Sequence, residues 1–164
     1  MMKTFFLRLS RILPALWLGA GLAVSFVAIP VVFSPAVRAI LPKEAVGQVA
    51  QTILGRFFWV QLGLCGVGLF SRWAAGGAWS RGERLAWVIL SLGSVVAAGW
   101  LHPKLRALHQ TRYDVGQSAA MRDAAAAEFG RWHGGSQAGN LVMLLTLGGL
   151  TFAGSPRRPS APLA

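Results

Sequence analysis

Residues 12–37 read ILPALWLGAGLAVSFVAIPVVFSPAV, a run of 26 residues without a charged side chain. A helix needs about 20 apolar residues to cross the ~30 Å hydrocarbon core of a bilayer, so this run is long enough to span a membrane. It is also longer than the apolar part of a secretory signal peptide, which covers roughly 7–15 residues. We therefore expect a retained membrane helix over residues 12–35, preceded by a basic N-terminal segment over residues 1–11.

Three further runs complete the predicted fold. Residues 85–103 are uncharged, and apart from His133 the run over residues 132–156 is almost uninterrupted. The remaining run, residues 57–71, gives only about 22 Å of helix, so we expect that helix to begin near residue 50 and to hold Arg56 one or two turns inside. The prediction is an all-α integral membrane four-helix bundle with helices at residues 12–35, 50–71, 85–102 and 133–153.

Two expectations concern breaks and connections. Pro30 lies deep in the first run and should kink or end that helix near Ile29, because proline lacks a backbone N–H. The one long connection contains an alanine-rich stretch, and alanine is the best helix former. We expect an extramembrane helix over residues 117–132 that extends the last membrane helix beyond the membrane, and a disordered tail over residues 154–164.

The chain has a net charge of +11 with only 13% charged residues. Its Lys and Arg residues fall between the apolar runs, where they meet water or anionic headgroups, instead of clustering on one face as in a nucleic-acid-binding domain. We therefore expect the lipid bilayer as partner and no nucleic acid. Four crossings place eight Lys and Arg on each side, and those flanking the first run favour both termini in the cytoplasm.

Polar residues collect at one end of the predicted bundle. The third helix ends near His102, and in an antiparallel bundle that end lies on the same side as the start of the fourth helix. Four polar residues share one face there, at i, i+3, i+4 and i+7: His133, Ser136, Gln137 and Asn140. The candidate ligand-binding residues are Arg56, Gln61, His102, Arg106, His133, Ser136, Gln137 and Asn140.

Two interpretations of these residues remain open. Imidazole suits iron, copper and zinc, and bundle cores hold such cofactors, so His102 and His133 are candidate metal ligands with haem or copper as the cofactor. Polar side chains also hydrogen-bond across membrane helices without any ligand. Two histidines are too few to define a metal site, so the cofactor stays unknown.

The sequence contains none of these catalytic motifs of soluble enzymes: a zinc-protease motif, a P-loop or a nucleophile–base pair. None of the five acidic residues lies within an apolar run, which argues against a carboxylate-driven transporter. We expect a non-enzymatic membrane protein with a polar site near one membrane face. The alternatives are a haem- or metal-binding redox membrane protein and a small transporter or channel that works as a homo-oligomer.

Four motifs occur in order between residues 10 and 152. They are Leu16-Trp17-Leu18-Gly19, Ile29-Pro30-Val31-Val32-Phe33, the segment ending Leu54-Gly55-Arg56-Phe57-Phe58, and the set Pro103, Arg106, Phe129, His133, Ser136 and Asn140. This succession resembles the transmembrane-protein-205-like family, which is catalogued in bacteria as a domain of unknown function. The resemblance implies a four-helix, multi-pass protein of the bacterial inner membrane and no particular activity.

Overall fold

The computed structural model describes residues 2–76 and 79–153, and within these ranges the chain is helical with short connections and no strand. The helices form four long stretches. The first stretch comprises α1 (Met2–Ala23), a π-helical turn (Val24–Ala28), α2 (Ile29–Val32) and α3 (Pro35–Ile40). The second is the uninterrupted α4 (Lys43–Ala75). The third comprises α5 (Arg81–Val96), a second π-helical turn (Ala97–Leu101) and α6 (His102–Tyr113), and the fourth is α7 (Ala119–Ala153).

Each π-helical turn comes directly before a helix whose second residue is proline. Pro30 and Pro103 lack an N–H, and a proline ring collides with the carbonyl four residues earlier in a regular helix. A widened turn removes this collision without ending the helical stretch. The disturbance expected near Ile29 is therefore present as the turn Val24–Ala28, and a second π-helical turn occurs before Pro103, where the third helix was expected to end.

Local capping fixes the turn between α4 and α5. The helix α4 ends at Gly76, whose φ of 67° is a conformation that favours glycine. The next helix opens with a capping box, because Oγ of Ser80 accepts from N of Glu83 at 3.1 Å and Oε2 of Glu83 accepts from N of Ser80 at 3.0 Å. These contacts stop one helix and start the next within a few residues.

All four stretches contribute to one hydrophobic core. The helix α1 packs against α4 and α7, while α5 also packs against α4 and α7. The buried core residues come from α1, α4, α5 and α7: Trp17, Cys65, Trp87, Leu90, Met143 and Leu147. The helix α6 extends beyond this core and packs against α7 and α4. The interior is therefore small and is shared by long helices.

The outer surface carries large apolar side chains that no other part of the chain covers. Leu16, Leu92 and Leu145 are 58%, 62% and 67% exposed. Water-soluble proteins rarely leave contiguous apolar surface of this kind, whereas lipid tails cover it readily. Among the described residues, three stretches are long and apolar enough to cross a membrane: Met2–Ile40, Lys43–Ala75 and Arg81–Tyr113. The chain is therefore an all-helical, multi-pass membrane protein.

Several helix ends lie outside the predicted boundaries. The second helix begins at Lys43 instead of near residue 50, and the third stretch continues past residue 102 to Tyr113. The predicted extramembrane helix over residues 117–132 and the last predicted helix form one continuous α7. Ser136, Gln137 and Asn140 lower the mean hydropathy of the second half of α7. For this reason α7 is not among the three stretches that are long and apolar enough to cross a membrane. The predicted tail over residues 154–164 lies outside the described residues.

Candidate functional site

A cavity of about 410 Å³ lies among the first π-helical turn, α2, α4, α5 and α7. Both π-helical turns line it, and we call it the π-turn cavity. Its wall is mostly apolar and includes Leu54, Phe57, Val96, Trp100 and Met143. A volume in this range is typical of small-molecule sites, which usually combine apolar walls with a few polar groups.

The polar end of the π-turn cavity comes mainly from α7. Nδ2 of Asn140 donates to Oγ of Ser25 at 3.0 Å, which ties α7 to the first π-helical turn. Nε2 of Gln137 donates to Nε2 of His133 at 3.2 Å, and the His133 ring stacks on Phe129. These contacts orient the polar side chains along one wall of the cavity.

Gln61 brings a buried amide to the opposite wall. Its side chain is only 2% exposed, and its Oε1 has no hydrogen-bond partner among the described residues. A buried acceptor without a partner costs roughly 1–3 kcal/mol. Because Gln61 lines the π-turn cavity, a donor group of a molecule bound there could satisfy this oxygen.

A second cavity of about 470 Å³ lies between α4 and α6, and we call it the basic cavity. Two arginines from different helices line it, Arg56 on α4 and Arg106 on α6. Polar side chains make up most of the remaining wall, and none of the lining residues is acidic: Gln48, Gln51, Thr52, Gly55, Trp59, His102, His109 and Gln110.

Two histidines of α6 dock into glycine positions of α4. Nε2 of His102 donates to the backbone carbonyl of Gln51 at 2.9 Å, and Nε2 of His109 donates to that of Glu44 at 3.2 Å. A Cβ atom at Gly55 would lie 2.5 Å from Cε1 of His102, and one at Gly47 would overlap the ring of His109. Both imidazole rings therefore fit only because these two residues have no side chain.

The structure divides the predicted site residues into two groups. Gln61, His133, Ser136, Gln137 and Asn140 line the π-turn cavity. Arg56, His102 and Arg106 line the basic cavity. The division has a simple cause on α4, since residues five apart on a helix point about 140° away from each other, so Arg56 and Gln61 face opposite sides.

The structure places His102 and His133 in the linings of different cavities. His102 contacts α4, whereas His133 contacts residues of its own helix. Across residues 2–76 and 79–153, no group of three or more His, Cys, Asp and Glu side chains is arranged to hold a metal ion. Nε2 of His102 donates to the carbonyl of Gln51, so a metal could bind this ring only through Nδ1.

An ion pair orders the rim of the π-turn cavity. Nζ of Lys104 lies 2.8 Å from Oε1 of Glu128, and Nε1 of Trp132 donates to the same oxygen at 3.2 Å. These contacts, from Lys104 first and then Trp132, hold the pKa of Glu128 below its usual range. Trp132 in turn packs edge-to-face on Trp100, with ring centroids 4.8 Å apart. The two tryptophans border the cavity.

Sequence reasoning missed Ser25, Gln51 and His109. A signal existed for His109, because it follows His102 and Arg106 at i+7 and i+3, on one helical face. That face was overlooked because the third helix was expected to end at residue 102. Ser25 and Gln51 act through contacts that the sequence pattern does not show.

Comparison with known proteins supplies a family and no assigned activity. No curated protein and no solved structure matches the chain. A family profile described as a domain of unknown function, DUF4149, matches residues 12–114, which is more than half of the chain. The matched region begins within α1, covers the rest of the first three helical stretches and ends before α7. The chain therefore belongs to the DUF4149 family.

Proposed function

We propose that this chain crosses the membrane four times and binds a membrane-borne small molecule in the π-turn cavity. The ligand has an apolar body and a polar end with a hydrogen-bond donor. The observation that carries this proposal is the buried Gln61, whose Oε1 lies at a largely apolar cavity and has no hydrogen-bond partner in the part of the chain that the structure describes. The role is binding, with no chemical step.

The surface of α7 supports the fourth crossing. Its second half exposes Leu141, Leu145 and Phe152, as the other three stretches expose their apolar residues. Its inner face supplies Met143 and Leu147 to the common core. The full helix has 35 residues, about 52 Å, so it is long enough to cross the bilayer and extend beyond it. We place both termini in the cytoplasm of a bacterial cell and the protein in its inner membrane.

Cysteine labelling tests the fourth crossing. In a Cys65→Ala background, Met121→Cys and Phe152→Cys place single thiols at exposed positions near the two ends of α7. A membrane-impermeant maleimide added to intact cells with a permeable outer membrane should modify the first and not the second. Modification of both thiols from outside the cell would contradict the four-crossing topology.

The cavity lining indicates how the ligand enters and where it is held. His133, Gly135 and Gly139 line the cavity and are exposed, so the cavity opens on the lipid-facing side. A molecule dissolved in the bilayer can enter sideways, place its apolar part against Phe57 and Met143, and direct its donor group toward the amide oxygen of Gln61. Lateral entry avoids exposing an apolar ligand to water.

The motifs that resemble the transmembrane-protein-205-like family include residues that line the two cavities. Four residues of its motifs, Arg56, Arg106, His133 and Asn140, each line one of the two cavities. We propose that this family relation is real and that its motifs mark ligand-facing positions.

Two brominated probes test the binding proposal. Bromine quenches tryptophan on contact, and Trp100 and Trp132 line the cavity. A brominated medium-chain alcohol should quench the purified protein saturably and at lower concentration than the matching bromoalkane, because only the alcohol can donate to Gln61. The variant Gln61→Leu should remove that difference between the two probes. Equal quenching by both probes in the unmodified protein would overturn the proposal.

A cavity-filling pair supplies the control. No heavy atom lies within 4 Å of a Cβ built at Gly139 or at Gly149, but only Gly139 lines the cavity. Gly139→Leu should therefore weaken saturable quenching, whereas Gly149→Leu on the same helix should leave it unchanged. A Gly139→Leu protein that binds as well as the unmodified one would also contradict the proposed site.

A further inference from the structure

The basic cavity is separate from the π-turn cavity and has a different chemistry. Arg56 and Arg106 approach it from different helices, and within the described residues neither makes an ion pair with a carboxylate. Guanidinium groups stay charged at all ordinary pH values. Two such groups lining one cavity repel each other unless an anion lies between them.

We infer that the basic cavity binds a phosphate-type oxyanion, carried by an anionic lipid headgroup or by free phosphate. Arginine offers planar, paired N–H donors that match phosphate oxygens. Gln48, Thr52 and Gln110 supply further uncharged donors around the same space. The inference goes beyond the proposed function, since it concerns another cavity and another ligand class.

The histidine–glycine contacts fix the helix that carries Arg106 against the helix that carries Arg56. His102 and His109 both line the cavity, donate to backbone carbonyls of α4, and fill positions left open by glycine. Because α6 is fixed to α4 in this way, Arg106 is held near Arg56 before any ligand arrives. Such preorganisation lowers the entropy cost of binding.

The position of the cavity along α4 favours a lipid phosphate over a free one. Arg56 immediately precedes the uncharged residues 57–71, and Trp59 lines the cavity with 65% of its surface exposed. Tryptophan is enriched at the headgroup level of membranes, and arginine there reaches toward lipid phosphates. The cavity therefore lies where the apolar part of α4 meets the headgroups.

Native mass spectrometry of the full-length protein in a non-ionic, phosphate-free detergent tests the inference. Delipidated protein is titrated with phosphatidylglycerol, with uncharged diacylglycerol and with inorganic phosphate. We expect one phosphatidylglycerol to bind at low concentration and diacylglycerol to bind at least tenfold more weakly. Tight binding of inorganic phosphate with competition against the lipid would identify free phosphate as the ligand instead and would support the same site.

Three variants make the result specific. Arg56→Gln and Arg106→Gln should each weaken phosphatidylglycerol binding about tenfold or more, as expected for loss of a charge-assisted hydrogen bond. The control Arg131→Gln removes one exposed positive charge from α7, outside either cavity, and should change little. Both cavity arginines are exposed, so these variants should fold, and thermal unfolding of each checks this.

The outcomes separate the two proposals. If phosphatidylglycerol binds equally to all four proteins, or if neither phosphate probe binds, the oxyanion site is wrong. Quenching by the brominated alcohol should persist in Arg106→Gln, because Gln61 and Trp132 lie in the other cavity. Each proposal therefore has its own experiment, and a negative result for one cavity does not decide the other.

Discussion

The histidine–glycine contact at Gly55 gives the sharpest test of the packing described above. In Gly55→Ala, the new methyl group would lie 2.5 Å from Cε1 and 2.6 Å from Nε2 of His102. Carbon atoms in contact are separated by about 3.5–4.0 Å, so the imidazole ring must move by roughly 1 Å. That movement breaks the 2.9 Å hydrogen bond from Nε2 of His102 to the carbonyl of Gln51.

The magnitude follows from three contributions. Losing the hydrogen bond costs about 0.5–1.5 kcal/mol. Forcing an extra methyl group into a packed contact costs about 1–3 kcal/mol. Alanine recovers about 1 kcal/mol of helix propensity relative to glycine. The free energy of unfolding of Gly55→Ala should therefore fall by roughly 1–3 kcal/mol.

A matched substitution on the same helix isolates the contact. Gly66 also lies within α4, but no heavy atom lies within 4 Å of a Cβ built there. Gly66→Ala should thus keep the stability of the unmodified protein or raise it by up to about 1 kcal/mol. Both variants can be compared by titrating SDS into detergent micelles and following helix content by circular dichroism.

The same experiment in a His102→Ala background decides the cause. Without the imidazole ring, Gly55→Ala should lose its cost and behave like Gly66→Ala, which corresponds to a coupling energy of about 1–4 kcal/mol between the two positions. If Gly55→Ala destabilises the protein equally with and without His102, the cost comes from elsewhere and the docking argument is refuted.

Three further predictions concern other contacts. Asn140→Ala and Ser25→Ala should each lower stability by about 1 kcal/mol, and the double variant should cost less than the sum in the same SDS titration, because both remove one hydrogen bond. Gly76→Ala should cost about 1–2 kcal/mol by thermal unfolding, since its φ of 67° is strained for alanine. Lys104 holds the pKa of Glu128 below its usual range, so their contact stabilises the fold above the ordinary carboxyl pKa. This stabilisation is lost as pH falls through the lowered pKa of Glu128. In Glu128→Gln, stability should therefore fall less between neutral and acidic pH than in the unmodified protein.

Run length located three stretches that are long and apolar enough to cross a membrane, but it could not locate the helix ends. An apolar run ends where lipid contact ends, whereas a helix ends where its backbone groups find other partners. The helix α4 therefore starts at Lys43, several residues before its apolar part, and α6 continues to Tyr113 in polar sequence. Hydropathy carries no information about those helical extensions.

The structure groups the candidate site residues differently from the sequence prediction. Order along the chain gives the depth of a residue in the membrane, and that reasoning gathered Arg56, Gln61 and His102 at one end. It does not give the direction of each side chain, which separates Gln61 from the other two. The decisive positions for His102 and His109 are Gly55 and Gly47, where an absent side chain leaves room for a ring. Glycine is frequent in membrane helices, so its presence alone does not mark such a contact.

The extent of the family match relates the two cavities to different parts of the protein. Every residue that lines the basic cavity lies within residues 12–114, the region matched by DUF4149. The π-turn cavity takes Gln61 and Ser25 from that region, but His133, Gln137 and Asn140 come from α7, beyond it. The basic cavity can therefore form wherever the matched helices pack as they do here, whereas the polar wall of the π-turn cavity also needs α7. A result at Arg106 consequently bears on the family domain, and a result at Asn140 bears on what α7 adds to it.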